Sequence, residues 1–141
     1  MNREIDLAPR LTHFGALRVL QAAMDEAEAI GVGQNIAVVD EGGNLVAFVR
    51  MDGAKLLSRE TAISKAISAA SHRCATGRLD DALELKLAIA SGGRLTNLEG
   101  GEPLLVDGYC VGGIGAGSGS GAQDVQVARA GAMALSQGAA Q

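Results

Sequence analysis

His13 and His72 are the only imidazoles in the chain, so they are the candidates for proton transfer near neutral pH and for nitrogen ligation of a haem iron. A lone histidine more often fills a surface or a core than holds a ligand. His72 and Cys74 stand two positions apart, a spacing that sends side chains to different sides of a helix, so they do not form a metal pair. Cys74 and Cys110 are too few for a disulfide framework and match no zinc spacing. Both read as reduced, buried thiols, and no metal site is expected.

Arg50-Met51-Asp52-Gly53 stands where a strand hands over to a helix, and Lys65 lies in an otherwise apolar helical stretch, Ala62 to Ala70. One reading is a surface ion pair and a snorkelling lysine. The other is a pair of cations, Arg50 and Lys65, at a pocket mouth with Asp52 beside them.

Gly117-Ser118-Gly119-Ser120-Gly121-Ala122 matches the G-x-G-x-x-A form of the dinucleotide fingerprint. That fingerprint needs a further strand and an acid about 20 residues on, whereas here the sequence closes with the helix. No Gly-Lys-Ser/Thr is present either, which excludes a P-loop. Two readings remain for the glycines. A glycine turn at a helix N-terminus, with Gly117 and Gly119 in it, exposes N–H groups that suit a carboxylate. Alternatively, the glycines only permit tight packing against a sheet.

The elements that must position these residues follow from periodicity. Thr12 to Ile30 reads as a helix with Leu17, Leu20, Met24 and Ala27 on one stripe. Asn35 to Asp40 and Leu45 to Arg50 are apolar runs joined by Glu41-Gly42-Gly43-Asn44, a hairpin whose strands are expected to be covered on both faces. Ser58 is a candidate N-cap for a helix running towards Cys74, and a second helix spans about Leu79 to Ala90, with Leu83, Leu87 and Ala90 on one face. Leu104 to Val111 forms a second hairpin around Asp107-Gly108, the residue pair that a type I′ turn favours. Gly112 to Gly121 is a glycine-rich run, and the last helix spans about Gln123 to Gln137, packing through Val127, Gly131 and Leu135. The order α-β-β-α-α-β-β-α predicts an α+β fold, a single central antiparallel sheet of two hairpins with helices on both faces.

Composition bounds the partners. The 141 residues suffice for a single domain, 1–141, and 48% of them are hydrophobic. A net charge of −4, with Lys and Arg scattered among more numerous acids, gives no electrostatic reason to bind nucleic acid. Phe14, Phe48 and Tyr109 are the only aromatic residues, too few for base stacking. No apolar run approaches the roughly 20 residues that span a bilayer, and the first residues do not form a secretory signal, so a cytoplasmic location is expected. With twenty glycines and little aromatic bulk the core gains less burial per residue, which favours a homo-oligomer.

The run Ala37-Val38-Val39-Asp40-Glu41-Gly42-Gly43-Asn44-Leu45-Val46-Ala47-Phe48-Val49-Arg50-Met51-Asp52-Gly53-Ala54 resembles the opening signature of the GlcG/HbpS-like family, which includes the C-terminal domain of PduO-type proteins. The Lys65-Ala66 helix, Gly100-Gly101-Glu102-Pro103-Leu104, and Gly113-Ile114-Gly115 followed by Gln123-Asp124 continue the resemblance in order, over about residues 12 to 137. The chain departs from it at Gly117-Ser118-Gly119, where the family usually reads Ser-Gly-Gly, and after the Lys65 helix, where an aromatic residue is usual. The resemblance implies a central antiparallel sheet, and dimers built into larger rings. Its members differ in function: some bind haem, and similar proteins serve as lyases in aromatic catabolism.

The expectation is therefore a cytoplasmic, oligomeric pocket protein binding haem or a small organic anion, with Arg50, Asp52, Lys65, Gly117 and Gly119 at the ligand. The resemblance makes His13 the haem ligand, since haem-binding relatives tend to offer histidine from the N-terminal helix. An alternative is a small enzyme, similar to a hydroxylaminobenzoate lyase, in which Arg50 or Lys65 holds a carboxylate and Glu102 or Asp124 moves a proton. A third is a structural assembly module that needs no pocket charges.

Overall fold

A computed structural model describes residues 3–139. The elements are α1 (His13–Ala29), β1 (Asn35–Asp40), β2 (Leu45–Arg50), α2 (Ser58–His72), α3 (Asp81–Ala90), β3 (Gly101–Val106), β4 (Tyr109–Gly117) and α4 (Gly121–Ala139). The class and the order are those expected from the sequence. All four strands lie in one antiparallel sheet, in the order β2-β1-β4-β3.

Local chemistry explains the two hairpins. Asp107 and Gly108 both have positive φ, 50° and 82°, as a two-residue type I′ turn requires. In the other hairpin the Asp40 carboxylate accepts the N–H groups of Gly42 and Asn44, each at 3.0 Å, so a side chain satisfies the turn backbone. The hairpins are joined through β1 and β4, whose register runs from Asn35 opposite Gly117 to Asp40 opposite Gly112.

The alternation of side chains divides the core in two. Ile36, Val38, Leu104, Ile114 and Ala116 face α1 and α4, meeting Val19, Ala23, Val127 and Ala128. Ala37 and Val39 face α2, which presents Ala62, Ala66 and Ala70. On that second face the helix nearly touches the sheet. A Cβ added at Gly113 would collide with the carbonyl oxygen of Ala66, and one at Gly115 with that of Ala62. Glycines in β4 and alanines in α2 thus set a spacing that larger side chains would forbid.

Several features differ from expectation. The second hairpin runs past Val111, since Gly112 to Gly117 continue strand β4, and this part of the glycine run serves helix–sheet packing. Strand β2 lies at the sheet edge, with Leu45 and Arg50 exposed, so only β1 is covered throughout. The N-cap of α2 is Leu57, without a side-chain cap, and Ser58 is the first helical residue. Cys74 and Cys110 are free thiols but only partly buried. Helix α3 buries none of its residues.

Candidate functional site

The floor of the site is an ion pair. Lys65 projects from the middle of α2 and Asp124 from the first turns of α4, and both are buried. The Lys65 ammonium donates to Asp124 Oδ2 at 3.0 Å and to the Ala116 carbonyl at 2.8 Å. Two of its three hydrogens are thereby used, leaving one. The other oxygen of Asp124 accepts the Gly119 N–H at 3.0 Å. Gly100, with φ +117°, makes room for the pair: a Cβ there would stand 2.7 Å from Asp124 Cβ and 3.2 Å from Lys65 Nζ. Burying two charges is costly unless geometry and extra hydrogen bonds compensate, and here both partners have them.

Helix α4 starts cleanly beside this pair. Ser120 Oγ accepts the Gln123 N–H and Gln123 Oε1 accepts the Ser120 N–H, a reciprocal capping box. Asp124 also places a negative charge near the positive end of the helix. The N–H groups of Gly119 and Ser120 are therefore committed within the chain.

Above the pair lies a cleft of about 500 Å³ lined by Lys65, Asp124, Gly119 and Gly121, by Lys55, Ser58, Thr61 and Ser118, and by Glu84 and Glu99. Ser118 ties two lining segments together, its hydroxyl accepting the Lys55 N–H at 2.8 Å, and it holds a φ of 111° to do so. Positions 58, 61 and 65 share one face of α2, which is why their side chains reach the same cleft.

The sequence candidates separate into groups. Lys65, Asp124 and Gly119 are brought together in the cleft. Gly117 ends β4 beside it, and a Cβ there would lie 3.2 Å from Ser58 Cβ. Arg50 and Asp52 are exposed, at the end of β2 and in the following turn, and do not line the cleft. Glu102 lies opposite Ile114 on the α4 side of the sheet, and its carboxylate accepts from Arg129 Nε at 3.2 Å. Burial pushes the Glu102 carboxyl up, and the guanidiniums of Arg129 and Arg78 offset this only in part. His13 opens α1, exposed, with its ring centroid 4.1 Å from that of Phe14. His72 is exposed as well, its Nδ1 3.0 Å from the Ser68 carbonyl oxygen.

Sequence reasoning missed Lys55, Thr61, Glu84 and Glu99. The Ser58, Thr61, Lys65 stripe has helical period and could have been read. Glu84 and Glu99 reach the cleft by chain topology alone.

Comparison with known proteins agrees with this architecture. The family described as haem-degrading, HbpS-like, matches residues 11–133. The chain belongs to the HbpS-like family. Protein GlcG of Escherichia coli strain K12 is 36% identical over 101 residues, which cover 71% of this chain and 75% of GlcG. HbpS of Streptomyces reticuli, solved as a double mutant, superposes with a TM-score of 0.83 at 34% identity, over 96% of this chain and 93% of that one. PduOC, solved in complex with haem, superposes with a TM-score of 0.82 at 29% identity, over 89% of this chain and 95% of that one. This HbpS-like chain thus keeps the family fold around the Lys65–Asp124 floor. Among the described residues no cluster of His, Cys, Asp and Glu could hold a metal ion, and no helix is long and apolar enough to cross a membrane.

Proposed function

We propose that the protein is a cytoplasmic homo-oligomer that binds a small organic anion in the cleft above Lys65 and Asp124. The observation that carries this reading is the buried ion pair on the floor of an open polar cavity. Charged groups are placed there at a desolvation cost, in a setting typical of ligand sites. Lys55 and the hydroxyls of Ser58 and Ser118 supply donors for a carboxylate, and Lys65 retains one hydrogen. Titration calorimetry with benzoate tests the reading: Lys55→Met should weaken binding about tenfold, as loss of a charged hydrogen-bond partner does. Equal affinity in parent and variant would remove Lys55 from the site.

Haem is a second ligand, supported by a different surface and by the relative solved with haem. The charged cleft does not suit an apolar macrocycle. The start of α1 does: His13 is exposed, and beside it Phe14 and Leu17 are 75% and 52% exposed. His13 would hold the iron through an imidazole nitrogen, and Phe14 and Leu17 would supply apolar surface beside it. When bound, haem supplies a redox-active iron. His13→Ala should weaken haem binding and shift and broaden the Soret band of haem-loaded protein. An unchanged spectrum and affinity would refute ligation by His13.

An enzymatic use of the cleft is also consistent with its floor. A carboxylated aromatic held by Lys55 would lie near Asp124, whose carboxylate would move the proton.

A further inference from the structure

The charges around the cleft are not those of a simple anion site. Lys65 is neutralised by Asp124 at 3.0 Å, which leaves Lys55 as the lining cation against Glu84 and Glu99. The N-terminus of α4, the obvious place for a ligand carboxylate, is already served from within. Its capping box is closed, and the Glu99 carboxylate lies against Gly121, so close that a Cβ there would collide with it. The N-terminus of α2 is different. It has no side-chain cap: its Ser58 and Arg59 N–H groups donate to the Lys55 and Leu56 carbonyls and the Thr61 hydroxyl to that of Ser58, which leaves the Ser58 hydroxyl as its donor in the cleft. Nearby, the fully buried Gln34 has both amide atoms unpartnered, and its Nε2 lies 2.8 Å from where a Cβ on Gly119 would stand. That amide is aimed at the turn that walls the cleft. Donors are therefore gathered from Lys55 and the hydroxyls of Ser58 and Ser118, while the acceptors Glu84 and Glu99 come from α3 and the segment before β3.

Resting on the proposed small-ligand cleft, we propose that the ligand is dipolar: a small molecule with a carboxylate at one end and an amine at the other. The carboxylate takes Lys55 and the hydroxyls of Ser58 and Ser118. The amine takes Glu84 and Glu99, drawing Glu99 away from Gly121. A plain carboxylate gains the first set of contacts but brings its charge towards two glutamates. A plain amine gains only the second set.

Calorimetric titration of the full chain with para-(aminomethyl)benzoate, benzoate and benzylamine tests this. The dipolar compound should bind about tenfold tighter than either of the others. Glu84→Gln with Glu99→Gln, both at partly or fully exposed positions, should remove that advantage and raise the affinity for benzoate. If benzoate binds the parent as tightly as the dipolar compound, dipolar selection is wrong and the anion reading stands. If benzylamine binds as tightly as the dipolar compound, the cleft is a cation site and both readings fall. If none of the three binds, the small-ligand reading of the cleft itself is refuted.

Discussion

Lys65 and Asp124 lie 59 positions apart in sequence and meet at 3.0 Å in the interior, with side chains only 5% and 6% exposed. The contact joins α2, on one face of the sheet, to the start of α4, on the other. It thereby fixes the end of the sheet on which the cleft is built.

Removing one partner should be costly, because it leaves an uncompensated buried charge. Lys65→Met alone, or Asp124→Leu alone, should lower stability by about 3–5 kcal/mol in urea unfolding. The double variant should regain most of the loss, since no charge remains. Recovery should be incomplete, because the Ala116 carbonyl and the Gly119 N–H then lack their partners. Losses that simply add would mean that the two side chains do not act as a pair.

The glycines of β4 give a second test. Gly115→Ala places a methyl group against the Ala62 carbonyl, and α2 must move away from the sheet. Overpacking of this kind should cost about 1–3 kcal/mol. Gly31→Ala provides the contrast: its φ is +72° but a Cβ there meets nothing within 4 Å. Its cost should come from backbone strain alone, about 1 kcal/mol. Equal melting temperatures for Gly115→Ala and the parent would refute the close-packing role of β4.

The fold was legible because its signals are local. Asp107-Gly108 dictates a turn whatever surrounds it, and the apolar runs of the first hairpin need no tertiary context to read as strands. The strand beyond Val111 was not legible because glycine carries no strand signal, and only the alanine-lined helix packed against Gly113 and Gly115 shows what the run is for. The site was half legible. Lys65 stood out as a charge in an apolar helix, and the family motif marked Asp124. What hid their pairing was distance along the chain, and Arg50, equally conspicuous in sequence, folds onto the exposed sheet edge. Glu99 carries no local signature, since only the path of the chain before β3 brings it to Gly121.

Glu102 should make stability depend on pH with a definite sign. Burial raises its carboxyl in the folded state above the ordinary value. The folded protein therefore holds that proton more tightly than the unfolded chain does, and ionised Glu102 is a net cost. The cost is absent well below the ordinary carboxylate range, grows as pH rises through it, and is complete above the raised folded value. Glu102→Gln removes the ionisation. The variant should equal or exceed the parent in melting temperature at pH 7, with the difference shrinking towards pH 4. A variant that loses more stability at pH 7 than at pH 4 would show that Arg129 outweighs the burial.

Helix α3 bears on assembly. Leu85 and Ile89 are 63% and 72% exposed, one turn apart on the same face, and no residue of the helix is buried. A second copy of the chain covering this stripe would remove that apolar surface from water, and closed symmetric homo-oligomers are the usual means. Glu84, on the same helix, lines the cleft, so such a contact would also hold one wall of the ligand site in place. Sedimentation of the parent should give a mass at least twice the 14.3 kDa of one chain. Leu85→Asp with Ile89→Asp should shift the population towards one chain while circular dichroism stays unchanged, because both positions are exposed in the single chain. A parent that sediments only as single chains would refute the oligomer, and a variant that stays assembled would place the interface elsewhere.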